Sequence, residues 1–208
     1  MGLKERRERE KQARRESILA AARELLHKKG INGASMNQIA KKAELGVATL
    51  YSYFKNKEDL FLALQEEGLD LLRDFMLASL EGITEPQEKL RKIASSFLEF
   101  SQKRKNYYYI INYFISIPEI LFEPSMKGEI DSRAEKALNI AEIIISEGIE
   151  KKQFKSLDTK RSAFMFWALV HGLTQYKKLE STVLLNDSFA DVFEFAINEF
   201  IQSLFPRH

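Results

Sequence analysis

The chain has 208 residues, of which 45% are hydrophobic and 30% charged, so it is expected to be soluble and to bury a substantial core. It has no cysteine, which excludes disulfide frameworks, thiolate zinc sites and cysteine nucleophiles. Its net charge is only +2, but residues 1–60 carry 14 Lys and Arg against 8 Asp and Glu. This basic end is typical of a DNA-contacting head, although a solvated basic tail without a partner would show the same charge.

No apolar run reaches the ~18 residues that a membrane span needs. The first fifteen residues are basic and are not followed by the apolar segment of a signal peptide. We therefore expect a cytoplasmic protein with no membrane partner.

The N-terminal segment, residues 4–15, mixes seven basic residues with three glutamates. The basic residues are Lys4, Arg6, Arg7, Arg9, Lys11, Arg14 and Arg15. Two interpretations are open. The segment is either a helical extension that follows the DNA backbone or dips into the minor groove, or a disordered solubilising tail.

Three helices are predicted next. Apolar residues at helical spacing predict a first helix from about Arg15 to Lys29, which Gly30 would end. A second helix opens at Ser35, which forms an S-x-x-Q capping box with Gln38.

The third helix is predicted from Val47 to Tyr53, after a turn of three residues that contains Gly46. Glu44, in that turn, is expected in a right-handed conformation, and Gly46 offers no side chain to cap the helix. Two short helices joined by such a turn describe a helix-turn-helix, with a generic helical hairpin as the alternative.

Residues 18–60 resemble the DNA-binding domain of the TetR family of transcriptional regulators. The resemblance is sharpest in the runs Ile39-Ala40-Lys41-Lys42-Ala43 and Thr49-Leu50-Tyr51-Ser52-Tyr53-Phe54-Lys55-Asn56-Lys57-Glu58-Asp59-Leu60. It implies a homodimeric, ligand-responsive regulator, most often a repressor. The sequence departs from the family pattern at Glu44, where a Gly is usual, and at Gly46-Val47-Ala48, which replaces a more polar stretch.

By this resemblance Tyr51 and Lys57 contact phosphates, and Tyr53 lies near the backbone or a base edge. In a helix-turn-helix the third helix enters the major groove, so Val47, Ala48 and Thr49 would read bases there. Gln38 or Asn37 of the second helix could bind adenine in a bidentate manner.

A long helix from Glu58 to about Leu80 is predicted to join the head to the body and to act as a lever between them. We predict an all-α protein, with a helix-turn-helix domain at residues 1–60 and an antiparallel helical ligand-binding and dimerisation domain at residues 61–208.

Aromatic residues are concentrated between Phe97 and Phe122. On a helix, Tyr107, Ile110, Ile111 and Phe114 form one stripe that is typical of core. A second stripe contains Tyr109, Asn112, Tyr113 and Ser116. It mixes rings with polar groups, as a ligand pocket does, although a wet surface face is the alternative. Pro118 and Pro124 bracket a possible pocket mouth. The predicted effector residues are Phe97, Phe100, Tyr109, Asn112, Tyr113, Phe122, Trp167 and His171.

Two apolar helices are predicted near the C-terminus. The helix from about Asp158 to Leu179 is apolar on several sides, so one side is expected to meet the pocket and another a second subunit. A complete apolar stripe runs from Phe189 to Leu204. The resemblance implies that these two helices of each subunit form a four-helix bundle, and a dimer would read a palindromic operator.

An enzyme is the alternative to a DNA-binding regulator. The three histidines lack metal-ligand spacing, and no phosphate loop or nucleophile elbow is present, so neither a catalytic residue nor a metal or cofactor is predicted. A protein that coats DNA without specificity is a further alternative, but it would leave the aromatic body unexplained. The effector is expected to be small, largely apolar, and uncharged or cationic.

Overall fold

The computed structural model describes residues 2–116, 124–184 and 188–206. These residues form nine α-helices and no strand. The helices are α1 (Leu3–Gly33), α2 (Met36–Lys42), α3 (Val47–Tyr53), α4 (Lys57–Ser79), α5 (Pro86–Lys103), α6 (Lys105–Ser116), α7 (Pro124–Glu150), α8 (Thr159–Tyr176) and α9 (Phe189–Leu204). The predicted all-α class is confirmed. No helix among the described residues combines the length and the apolar character needed to cross a membrane.

The helix bounds agree with the predictions for α2, α3 and α9, and nearly so for α4 and α8. Helix α1 begins at Leu3 and not near Arg15, so of the two interpretations of residues 4–15 the helical extension is correct and the disordered tail is wrong. Burial of an apolar face is the signal that sequence periodicity detects, and residues 3–14 are all exposed. Gly30, the predicted stop, interrupts α1 with φ of 68°, although the helix assignment continues to Gly33.

The chain divides into two compact units. Unit 1 comprises Met1–Leu69 and Arg104–Asp131, and unit 2 comprises Asp70–Lys103 and Ser132–His208. Unit 1 therefore holds the three N-terminal helices, the first half of α4, and α6. The two units do not follow sequence order, because α6 is grouped with the N-terminal helices. The predicted domain boundary after residue 60 therefore stays a prediction.

The core of unit 1 lies between α1 and the two short helices. Ile18 and Ala22 of α1 are fully buried with Ile39 of α2 and Leu50 of α3. Ile110 of α6 belongs to the same cluster. This burial holds the short helices in place, because a seven-residue helix is marginal in water without tertiary contacts.

Unit 2 is built on α5, which packs against α8 and α9. The rings of Phe166 and Phe200 meet with centroids 5.5 Å apart, and Lys177 lies over the ring of Phe189. These pairings show that α8 and α9 run antiparallel. Asp158 caps α8 by accepting a hydrogen bond from the amide of Arg161, so the helix start that the sequence predicts is confirmed.

Candidate DNA-binding surface and effector residues

The predicted capping box at the start of α2 is present. The Gln38 amide donates to Ser35 Oγ at 3.3 Å, and the Ser35 amide donates to Gln38 Oε1 at 3.4 Å. The Gln38 side chain is exposed, so it can reach a partner outside the protein. To read a base it would first have to give up its bond to the Ser35 amide.

The turn after α2 is a Schellman motif. The Leu45 amide donates to the Ala40 carbonyl at 2.9 Å, and the Glu44 amide donates to the Lys41 carbonyl at 3.2 Å. Glu44 has φ of 57°, so the expectation of a right-handed Glu44 was wrong. Both hydrogen bonds require a left-handed residue at this position, which is why glycine usually occupies it.

Helix α3 follows the turn with Gly46 as its N-cap and with no side-chain cap, as the sequence indicates. Leu50 anchors it from below, fully buried. Val47, Ala48 and Tyr51 are exposed, and the Tyr51 side chain is 48% exposed. Of the predicted DNA-binding residues, these three therefore share one outward face.

Two further predicted residues of α3, Thr49 and Tyr53, are half-buried at the sides of the helix. The Thr49 carbonyl accepts a hydrogen bond from Ser52 Oγ at 2.6 Å. Tyr53 packs against the core cluster of unit 1. Their polar atoms can reach DNA only from the edge of the exposed face.

Lys57 is the first residue of α4, one residue before the predicted start at Glu58. Asn56 Oδ1 accepts a hydrogen bond from the Asp59 amide at 2.7 Å and so caps this helix. The Lys57 ammonium lies 5.9 Å from the centroid of the Phe61 ring. Cation and helix N-terminus together form an environment that favours a phosphate.

A charged cluster that sequence reasoning missed joins three helices of unit 1. Arg23 of α1 donates to both carboxylate oxygens of Glu67 on α4, at 2.9 and 3.1 Å. The Tyr107 hydroxyl of α6 also donates to Glu67, and the Arg23 guanidinium lies 4.4 Å from the Tyr107 ring centroid. Burial, followed by this hydrogen bond, raises the pKa of Tyr107 and keeps its proton in place.

Sequence gives no signal for this cluster, because its members are 40 or more residues apart. The predicted core stripe is confirmed for Tyr107, Ile110 and Ile111 by their burial, and the side chain of its fourth member, Phe114, lies outside the described part of the structure. In addition to this packing, the Tyr107 hydroxyl reaches α4 and donates to Glu67.

Three predicted effector residues, Tyr109, Asn112 and Tyr113, lie on α6 in unit 1. The Tyr109 ring meets His27 of α1 edge-on at 6.2 Å and Tyr113 at 6.3 Å. Asn112 is buried and donates to the Tyr108 carbonyl at 2.9 Å. Their surroundings include α1, so a ligand that touched them would act on the head unit.

Four other predicted effector residues lie in unit 2. Phe97 meets Trp167 and His171, each with ring centroids 5.8 Å apart, and Phe100 packs against Phe75. The Trp167 indole donates to the Leu138 carbonyl. Burial lowers the pKa of His171 below its ordinary value of 6.5, so the imidazole is neutral at pH 7.

The predicted residues thus form two groups, one in each unit. The eighth, Phe122, and the predicted pocket mouth at Pro118 lie outside the described residues. Unit 2 also contains Ser96, which is 1% exposed and whose hydroxyl has no hydrogen-bond partner among the described residues. A buried hydroxyl in this state is typical of a site that a ligand or water completes. Sequence reasoning missed it.

A groove of about 690 Å³ lies between α5 and α9 in unit 2. Phe193 and Ile197 form part of its apolar floor, and Arg91, held by a hydrogen bond to Asn198, lies at its edge. None of the predicted effector residues lines this groove. In the described part of the chain, no three His, Asp or Glu side chains are grouped as a metal would require.

Comparison with known proteins identifies the head. Residues 18–64 match the family model described as bacterial regulatory proteins, tetR family. The HTH-type transcriptional activator FasR of Mycolicibacterium smegmatis is 28% identical over 118 residues, which is 56% of this chain and 54% of FasR. The chain thus spans about half the length of this relative.

Two solved structures share the fold along most of both chains. The transcriptional regulator FadR from Bacillus subtilis, in complex with stearoyl-CoA, has a TM-score of 0.75 at 20% identity and covers 89% of this chain and 96% of its own. AibR, in complex with isovaleryl coenzyme A and operator DNA, has a TM-score of 0.70 at 23% identity and covers 94% and 100%. These likenesses extend the common architecture beyond the head to the helices of the body.

Proposed function

We propose that the chain is a transcriptional regulator of the TetR family, whose family model its head matches, and that it is a dimeric repressor released from a palindromic operator by an acyl-coenzyme A. The observation that carries the proposal is the exposed face of α3, formed by Val47, Ala48 and Tyr51, which is followed in the chain by Lys57 at the start of α4. We place this function in the cytoplasm, with the DNA.

On DNA, α3 enters the major groove. The methyl groups of Val47 and Ala48 lie against thymine methyl groups, since an apolar surface offers no hydrogen bond to a base. Tyr51 and Lys57 bind phosphates and fix the position of α3 in the groove. Gln38, Thr49 and Tyr53 add contacts from the edges of this face.

The effector proposal rests on the aromatic residues of the body. Phe97, Trp167 and the neutral His171 pack together without formal charge, and such an apolar environment suits an acyl chain. FadR and AibR, which share the fold, bind acyl-CoA molecules of very different chain length. An acyl-CoA keeps the apolar part of the effector expected from the sequence but replaces its neutral or cationic charge with phosphates.

The coupling between effector and DNA runs through α6. This helix carries Tyr109, Asn112 and Tyr113, yet it packs inside unit 1 and is tied to α1 and α4 through Tyr107, Arg23 and Glu67. An effector that contacts α6 therefore acts on α1 and α4 within unit 1. Its differential affinity for two arrangements of these helices releases the DNA.

The dimer is proposed to form through α8 and α9. Phe164 on α8 is 68% exposed and Phe195 on α9 is 66% exposed, with Met165 and Tyr176 also exposed on α8. Apolar surface of this kind marks an association site. Two heads held ~34–36 Å apart would read the halves of a palindrome.

The experiment that tests the function uses a duplex selected from a random library by the full chain. At fixed salt, we expect the selected duplex to bind about a thousandfold more tightly than a scrambled one. Equal affinities would support a non-specific coating protein instead, and no affinity for either duplex would favour the enzyme alternative.

The effector is tested on the selected duplex with stearoyl-CoA and isovaleryl-CoA, and with coenzyme A alone as the control. We expect one acyl-CoA to weaken DNA binding by about 5- to 150-fold, as couplings of 1–3 kcal/mol do. If neither acyl-CoA changes the affinity at saturation, the acyl-CoA assignment is wrong.

A further inference from the structure

The first four turns of α1 carry their charges unevenly around the helix. At 100° per residue, five basic side chains project within an arc of about 100°. These residues, which we call the basic stripe, are Lys4, Arg7, Lys11, Arg14 and Arg15. The two remaining basic residues of this segment, Arg6 and Arg9, point more than ~120° away from the centre of the stripe.

The two sides of the segment also differ in pairing. Arg6 forms an ion pair with Glu10 at 2.9 Å, and Arg9 donates to the Glu5 carbonyl at 3.5 Å. On the stripe, no side-chain hydrogen bond or ion pair is formed among the described residues by four members, which are Lys4, Arg7, Lys11 and Arg14. The stripe therefore presents positive charge that its own helix does not neutralise.

The stripe continues the face of α1 that holds the head together. Ile18 follows Arg14 by four residues and Lys11 by seven, which places it on the same side of the helix. Ile18 is fully buried against the helix-turn-helix. The stripe thus extends beyond the head on the side of α2 and α3.

Arg15 fixes where the stripe meets the head. Its guanidinium lies 5.5 Å from the ring centroid of Phe54, the residue that ends α3. Two residues after Phe54 comes Asn56, the cap of α4, and then Lys57. The stripe therefore starts beside the group of residues to which phosphate binding is assigned.

We propose that the basic stripe binds phosphates of the DNA that flanks the half-site read by α3. This inference rests on the proposed DNA-binding function and adds a second contact region to it. An α-helix with side chains is about 10–12 Å across, and the minor groove is only about 6 Å wide, so this arm lies along the backbone and does not enter that groove. From Lys4 to Arg15 the stripe is ~16 Å long, enough to pass several phosphates.

The test compares two variants of the full chain that lose the same charge from opposite faces. Arg7→Gln with Arg14→Gln removes two arginines of the stripe, and Arg6→Gln with Arg9→Gln removes the two outside it. Glutamine keeps a good helix former at each position. Circular dichroism at 222 nm checks that both variants keep their helix content.

Each variant is titrated with the selected duplex carrying either 15 or 2 flanking base pairs per side. We expect R7Q/R14Q to bind the long duplex about tenfold more weakly and to lower the slope of log K against log salt by about 2, since each lost phosphate contact removes about 0.9. Its affinity for the short duplex should equal that of the unmodified chain, and R6Q/R9Q should match the unmodified chain on both.

Equal losses in both variants would overturn the proposal, because the effect would then be one of net charge. Unchanged binding of R7Q/R14Q to the long duplex would also overturn the proposal. The stripe would then be expected to bind an acidic protein partner. These outcomes differ from failure of the proposed function, in which the unmodified chain itself does not distinguish selected from scrambled DNA.

Discussion

Glu44 and Lys152 have a left-handed backbone conformation, which is unfavourable for residues with a Cβ atom. Each follows a helix at the position where a Schellman motif requires a left-handed residue, with φ of 57° and 56°. In the second motif the Gln153 amide donates to the Gly148 carbonyl, as the Leu45 amide does to Ala40 in the first. For a residue with a Cβ, this conformation costs about 1–2 kcal/mol.

Glu44→Gly is therefore expected to raise the free energy of unfolding by about 1 kcal/mol, after the entropic cost of glycine is subtracted. Urea denaturation measures the change. Glu44→Ala serves as the control, because it removes the carboxylate without relieving the backbone. A gain of equal size in both variants would assign the effect to charge and contradict the conformational explanation.

The residues of the DNA-binding surface are expected to divide by role. Tyr51→Phe and Lys57→Ala should weaken binding to every duplex by a similar factor, because phosphates carry no sequence information. Thr49→Ala should change the preference between duplexes, with mismatched positions differing by about 1–3 kcal/mol. Electrophoretic shifts against a panel of operator variants measure both effects. An unchanged affinity of Lys57→Ala would contradict its assignment to a phosphate.

At the scale of helices, unit 1 depends on a polar contact between elements that are distant in sequence. Arg23 and Glu67 are each less than a third exposed and join α1 to α4, and Tyr107 adds α6 to the same carboxylate. Removing one charge leaves the other partly buried without its partner, which costs more than the pair contributes when intact.

We expect Glu67→Gln to lower the free energy of unfolding by about 1–3 kcal/mol, because Arg23 then loses its counter-charge. Glu10→Gln breaks an exposed pair with Arg6 and should change stability by less than about 0.5 kcal/mol. Thermal unfolding of both variants measures the difference. Similar losses in the two would show that burial of the Glu67 pair contributes nothing.

At the scale of the whole molecule, the proposed function needs two heads, and so it needs the exposed aromatic surface of α8 and α9. Phe164 and Phe195 are each about two thirds exposed, whereas Phe166 and Phe193 of the same helices are buried. Each helix therefore has one apolar side that serves the core and another that the described residues leave uncovered.

Phe164→Glu together with Phe195→Glu is expected to convert a dimer into monomers, because two charges would enter an apolar interface. Sedimentation velocity measures the change in mass, and DNA affinity should fall with it. Leu77→Glu is the control, since Leu77 is 49% exposed but lies on α4. An unmodified chain that sediments as a monomer would contradict the proposed dimer.

Features that depend on neighbouring residues could be predicted from the sequence. The capping box of Ser35 and Gln38, the bounds of α3, and the apolar stripe of α9 were predicted correctly, because capping and periodicity act within one helix. The family resemblance also resides in one continuous segment. The predicted DNA-binding residues were chosen from this continuous segment.

Features that depend on contacts between distant segments required the folded structure. The Arg23, Glu67 and Tyr107 cluster requires three helices to meet. Glu44 lies in a local Schellman turn, and its left-handed conformation was missed because glycine usually occupies that position. The helical N-terminal arm buries nothing, so hydrophobic periodicity could not reveal it. A helical pattern shows which residues share a face, but only packing shows where that face points. The contact of Arg15 with Phe54 at the end of α3 therefore places the charged face of the arm beside the helix-turn-helix.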